Sequence, residues 1–168
     1  MTENPAGTKE ERNPRLRVAI IARDESGRVL LLQHLRPRGK YWVLPGGGVD
    51  AGESIESALV REVKEELGVD CRIEKLVAVG ELITPERHVV DFFLEGKIGK
   101  SEPLTIATEE GITEARWMTH EEIKEILLLP REVLPFLLKG PGSFTGVTYL
   151  GKYKIRGRDL DKNPGESE

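Results

Sequence analysis

A single cysteine, Cys71, in 168 residues excludes an internal disulfide and suits a reducing compartment. Histidine is scarce as well, and His34, His88 and His120 stand at no metal-ligand spacing, so none receives a role. No run approaches eighteen apolar residues, which leaves no membrane-spanning helix to expect. The opening stretch MTENPAGTKEERNP has no apolar segment of the signal-peptide kind, and the chain is expected in the cytoplasm. A net charge of -4 shows no excess of one sign, and a nucleic-acid polymer is not an expected partner. No Gly-Lys-Ser/Thr follows the glycines, which excludes a P-loop, and the EF-hand loop pattern is missing. Gly46-x-Gly48-x-x-Ala51 fits a dinucleotide-binding fingerprint only loosely, behind a very short strand.

What the chain does have is an alternation of strand-like and helix-like segments. LRVAIIA (16–22) and RVLLLQ (28–33) read as a hairpin around the DESG turn, followed by a basic loop, HLRPRGKYW (34–42). Ile55, Leu59, Val63 and Leu67 recur every four residues and predict a helix from about Glu53 to Leu67, with Gly68 as its cap. Residues 71–82 and 88–98 read as strands around Thr84-Pro85-Glu86, and 114–118 as a short strand. Thr119-x-x-Glu122 then forms a capping box for a second helix. Residues 147–156 alternate Val147, Tyr149, Tyr153 and Ile155 against a basic face, the pattern of an added edge strand or an arm onto a neighbour. Strands, a helix, more strands and a helix predict an α/β fold with a mixed sheet between helical layers. The expected organisation is a disordered tail over 1–14, a domain over 15–140, a strand-like extension over 141–158 and a disordered tail over 159–168.

The conspicuous feature is LPGGGVDAGESIESALVREVKEELGV (44–69). At about 100° per residue, Glu62, Glu65 and Glu66 fall on one arc of the helix, where like charges cost a few tenths of a kcal/mol per pair unless compensated. Arg61 and Lys64 are too few to neutralise all three. A hard divalent cation could do so, because Mg²⁺ prefers carboxylate oxygens. Gly46, Gly47 and Gly48 allow the backbone to approach a ligand, and a carbonyl there could complete the oxygen shell. A plain solvated acidic face is the alternative.

Gly47, five residues, Glu53, seven residues, then Arg61-Glu62-Val63-Lys64-Glu65-Glu66-Leu67-Gly68-Val69 match the Nudix box at every specified position. Chance agreement is roughly 10⁻⁹ per start position on average residue usage. With Pro45-Gly46-Gly47 before it and Ala115-Arg116-Trp117 after it, the chain resembles the Nudix (MutT-like) hydrolases over about residues 15–128. The resemblance implies a Nudix-type α/β/α sandwich with a mixed β-sheet and a loop-helix-loop catalytic motif. It also implies hydrolysis of the pyrophosphate linkage in a nucleoside diphosphate derivative, by attack of water on phosphorus. Glu62, Glu65, Glu66 and the Gly46 carbonyl would hold Mg²⁺ (or Mn²⁺), and Arg61 would pair with Glu53 or another carboxylate.

Family members differ over the general base. Glu110 is the preferred candidate here, with Glu109 next and Glu62 inside the box. Arg36, Arg38 and Lys40 are candidates for gripping phosphates, and Trp42 or Tyr41 for stacking on a base, although an aromatic beside a strand is more often core. ADP-ribose is suggested by Pro85, sixteen residues beyond Val69, and an (oxidised) nucleoside triphosphate remains open. The alternative function is a non-catalytic Nudix-like nucleotide-binding or regulatory module. A homodimer is allowed, with the 147–156 strand as its interface.

Overall fold

The computed structural model describes residues 13–37, 39–85, 87–99, 106, 111–140 and 142–153. Its strands are β1 (Arg15–Ala22), β2 (Val29–Arg36), β3 (Gly39–Val43), β4 (Cys71–Ile83), β5 (His88–Ile98), β6 (Ile112–Met118) and β7 (Thr148–Tyr153). Its helices are α1 (Ile55–Leu67), α2 (His120–Glu125) and α3 (Leu134–Leu137), the last entered through a 3₁₀ turn over Arg131–Val133. Among the described residues, no helix is long and apolar enough to cross a membrane.

A four-stranded mixed sheet runs in the order β1-β5-β4-β7, and a three-stranded antiparallel sheet in the order β3-β2-β6. β1 contributes to both faces of its sheet, which is why it reads as a continuous apolar run rather than an alternating one. Val18, Ile20 and Ala22 pack with Leu59, Val63 and Leu67 of α1. Ala19 and Ile21 pack with Ile123 of α2 and with Val133 and Leu137. Helices thus lie on both sides of the sheets, giving the α/β/α sandwich. Leu59, Val63 and Leu67 are wholly buried, worth about 1.5–3 kcal/mol each, so the apolar stripe fixes α1 in place.

α1 starts two residues later than the periodicity predicts. The Ser54 hydroxyl accepts from the Ser57 N–H at 3.1 Å, making Ser54 the cap and leaving Glu53 outside the helix. Gly68 closes the other end at φ 68°, donating to Lys64 O. The capping box at α2 forms as expected, with Glu122 Oε2 accepting from Thr119 N–H at 2.8 Å.

Three expectations are corrected. The proposed β1–β2 hairpin closes only at its mouth, through a bridge between Arg23 and Val29; beyond it the strands diverge, β1 to β5 and β2 to β3 and β6. The basic loop over 34–42 is instead the β2–β3 hairpin, in which Arg36 pairs with Gly39 and Gln33 with Trp42. Finally, β7 is the edge of the main sheet but does not alternate as read. Gly151, at φ 80°, and a register shift opposite Val79/Gly80 reverse the facing of the strand. Tyr149 is therefore 61% exposed, whereas Tyr153 is 2% exposed.

Candidate active site

The loop from Pro45 to Val49 lies along the free edge of β1. Val18 N–H donates to Gly47 O, Ile20 N–H to Pro45 O, and Val49 N–H to Leu16 O, each within 3.0 Å. Gly46 and Gly47 have no room for a side chain, whereas Gly48 does. Gly46 has φ 135°, and a methyl there would overlap the Val18 carbonyl and lie 2.8 Å from the Ala19 Cα. A methyl on Gly47 would overlap the Glu62 carboxyl, whose farther oxygen would be only 2.5 Å away. The first glycine thus admits β1 and the second admits Glu62.

The three glutamates differ in their settings. Glu66 is 3% exposed, and its Oε2 accepts from the Gly46 N–H at 2.8 Å, tying helix to loop. Glu62 and Glu65 share one guanidinium nitrogen: Arg61 Nη1 donates to Glu62 Oε1 at 2.8 Å and to Glu65 Oε2 at 3.2 Å. Nη2 of the same residue donates to Gly48 O and Glu53 Oε2, both at 2.9 Å, while Nε donates to Glu53 Oε1 at 3.1 Å. The bidentate grip of Arg61 on Glu53 is the pairing expected of this residue, and the shared contact with Glu62 and Glu65 adds to it. Hydrogen bonds donated to Glu53 and then Glu62 hold the guanidinium charged well above its ordinary range, and Arg61 in turn holds the Glu53 carboxyl below its own.

Among the described residues, no three acidic, histidine or cysteine side chains gather as a preformed cage. The donors nevertheless fit a hard divalent cation: all are oxygens, and Glu62 and Glu65 already converge on a positive centre, the Arg61 nitrogen. A softer metal would want nitrogen or sulfur ligands.

A residue that no sequence motif marks completes this corner. Arg17 of β1 donates from Nη2 to Gly46 O at 3.3 Å and from Nη1 to Asp91 Oδ1 of β5 at 3.4 Å. Asp91 is 5% exposed; burial pushes its pKa up, against the pull of Arg17 and then Arg87. The pairing crosses 74 residues of sequence, so only the parallel β1–β5 register could reveal it.

Other candidates fall elsewhere. Trp42 is buried in the core and its ring is covered by the Arg116 guanidinium 5.2 Å from the centroid, so it is not a stacking platform for a base. Tyr41 is buried too and stacks on His34. Pro85 is exposed in the β4–β5 turn, where Thr84 N–H donates to Arg87 O; the turn alone accounts for it. Glu109, Glu110 and Arg38 lie outside the described residues, as does the side chain of Arg36. An open groove of about 650 Å³ runs along the outer flank of α1, lined by Val60, Arg61, Lys64 and Arg72 among others, but by none of Glu62, Glu65 and Glu66.

This sandwich, with a glycine loop on a strand edge and an arginine-clasped acidic helix, defines a nucleotide pyrophosphohydrolase scaffold. The model of the NUDIX domain matches residues 13–137, and the chain belongs to the NUDIX family of pyrophosphohydrolases. It is 29% identical over 155 residues to the uncharacterized Nudix hydrolase YvcI of Bacillus subtilis, covering 86% of this chain and 94% of that one. It is 41% identical over 81 residues to the human 8-oxo-dGDP phosphatase NUDT18, covering 47% of this chain but only 25% of that protein. A crystal structure of a NUDIX hydrolase from Nitrosomonas europaea superposes with a TM-score of 0.71 at 21% identity, over 86% of this chain and 81% of that one, a likeness of fold.

Proposed function

We propose that this protein hydrolyses the pyrophosphate linkage of an (oxidised) nucleoside di- or triphosphate with Mg²⁺ (or Mn²⁺) bound at Glu62, Glu65, Glu66 and the Gly46 carbonyl. The observation that carries the reading is the placement of the Glu62 carboxyl where a Cβ on Gly47 would lie, next to Glu65 on a shared cation. A solvated acidic face has no need of such a fit. When bound, the cation offsets the charge of the diphosphate, which otherwise repels a nucleophile.

The chain's own groups do the rest. Glu53 and Arg61 clamp the loop to the helix, and the bond from Gly46 N–H to Glu66 holds the glycine loop against it. A carboxylate takes the proton of the attacking water as its oxygen bonds to phosphorus, and the bridging oxygen departs with the other phosphate. Glu110 is the preferred base, then Glu109. Glu62 is the in-box option, but its engagement with Arg61 and Gly47 favours a holding role.

The choice of an oxidised nucleotide draws on the likeness to the 8-oxo-dGDP phosphatase. Pro85 lies in a plain turn, so its spacing adds little weight to ADP-ribose, which stays among the substrates to be tested. The test is a panel of 8-oxo-dGDP, 8-oxo-dGTP, ADP-ribose, dinucleotide polyphosphates and nucleotide sugars, with Mg²⁺ and with chelator. Mg²⁺-dependent release of a nucleoside monophosphate, fastest from an oxidised nucleotide, is expected. Binding without turnover across the panel would instead make this a non-catalytic module.

A further inference from the structure

We infer that Arg17 is a substrate-binding residue whose Nη2 passes from the Gly46 carbonyl to an oxygen of the diphosphate when a divalent cation takes that carbonyl. The inference rests on the site reading above and deepens it. Its basis is a conflict of occupancy. The carbonyl suited to complete the cation's oxygen shell is the acceptor of Arg17 Nη2 at 3.3 Å. A guanidinium and a divalent cation on one oxygen would place like charges within a few ångströms of each other. One of them must give way.

The guanidinium is built to give way without leaving. Its two terminal nitrogens have separate acceptors, Nη1 on Asp91 and Nη2 on Gly46 O. Asp91 is 5% exposed, so losing Arg17 entirely would leave a buried carboxyl with only the weaker pull of Arg87. Nη1 therefore stays. The side chain is 39% exposed despite its place on a core strand, so the guanidinium is open to solvent and to an incoming anion. A phosphate oxygen is a better acceptor for a guanidinium than a peptide carbonyl, because the bond is then charge-assisted on both sides. In the free protein Arg17 screens the carbonyl, and with substrate bound it serves the phosphate.

This arrangement demands reciprocal linkage: a diphosphate that draws Nη2 away must tighten cation binding, and the cation must tighten diphosphate binding by the same factor. Mn²⁺ binding is followed by electron paramagnetic resonance of the free ion, with and without the non-hydrolysable α,β-methylene ADP. In the wild type the analogue should tighten Mn²⁺ binding about tenfold. In Arg17→Met, Mn²⁺ alone should bind several-fold tighter than in the wild type, and the analogue should add little. KM for the preferred substrate should rise at least tenfold with kcat much less affected. The double variant Arg17→Met/Asp91→Asn, which removes the buried charge, should behave in the same way should the single variant melt too low to assay.

Unchanged or weaker Mn²⁺ binding in these variants, or undiminished coupling to the analogue, would overturn the inference while leaving the hydrolase reading intact. A wild type that neither binds Mn²⁺ nor turns over the panel would overturn both.

Discussion

Gly47→Ala separates the chemistry of the site from its stability. The added methyl would overlap the Glu62 carboxyl, leaving even the farther oxygen at 2.5 Å, whereas ordinary van der Waals contact begins near 3.4 Å. The carboxyl must retreat by about 1 Å, a displacement that elsewhere costs on the order of 100-fold in rate. No backbone strain accompanies it, because Gly47 is not among the residues with positive φ. The retreat strains the 2.8 Å bond from Arg61, a loss of about 1–2 kcal/mol at a partly buried pair. Against that, alanine lowers the entropy of the unfolded chain and returns about 0.4–1 kcal/mol. The net is a loss of at most about 1.6 kcal/mol, so Tm should fall by no more than about 6 °C. The assay pairs initial rates of Mg²⁺-dependent monophosphate release with a melting curve on the same preparation. A variant with full activity would refute the argument that Glu62 must sit beneath Gly47, and one that loses activity only by unfolding would refute the separation claimed.

Other substitutions probe neighbouring parts of the account. Gly46→Ala should be far more damaging, since its methyl meets the backbone of β1 at a φ that alanine avoids; a loss of more than about 3 kcal/mol in chemical denaturation is expected, and a melt like that of the wild type would contradict it. Trp42→Phe should destabilise by about 1–2 kcal/mol with KM unchanged, as befits a core side chain; a raised KM at full stability would restore the stacking role. Glu81 accepts from Tyr149 at 2.6 Å and bonds His88 at 2.7 Å, and these bonds hold its pKa below the ordinary 4.5. Its contribution to stability is thus present above about pH 4.5 and lost as the pH falls through the depressed value in the folded state. The Tm difference between wild type and Glu81→Gln should shrink as the pH falls below about 4.5 and vanish in stronger acid, and a difference unchanged across that range would count against the linkage.

What could be read in advance followed local rules. The i, i+4 stripe of α1, the αL glycine at its end and the capping box of α2 are each set by neighbours in sequence, and each appears where the pattern put it. A pairing of Arg61 with Glu53 or another carboxylate is implied by the Nudix resemblance and not by any local pattern, and the fork that forms is to Glu53. What failed depended on partners far along the chain. Arg36 to Gly39 looks like a loop because of its proline and glycine, yet a turn so short still lets both flanks pair. Whether β1 and β2 share a sheet depends on the competing partners β5 and β6, which no local pattern announces. One positive-φ glycine in β7 was enough to turn Tyr149 out and Tyr153 in. Arg17 carries no local sign of a role, because its partners Asp91 and the Gly46 carbonyl are brought beside it only by the fold.

The central claim is that the box carboxylates work together on a bound cation rather than decorate a surface. Mg²⁺-dependent monophosphate release, measured side by side on the wild type and Glu65→Gln, tests it most directly, because Glu65 is half exposed and its amide should leave the fold untouched. The account predicts a fall of at least about 100-fold at matched melting temperature. Equal rates for the two proteins would contradict it.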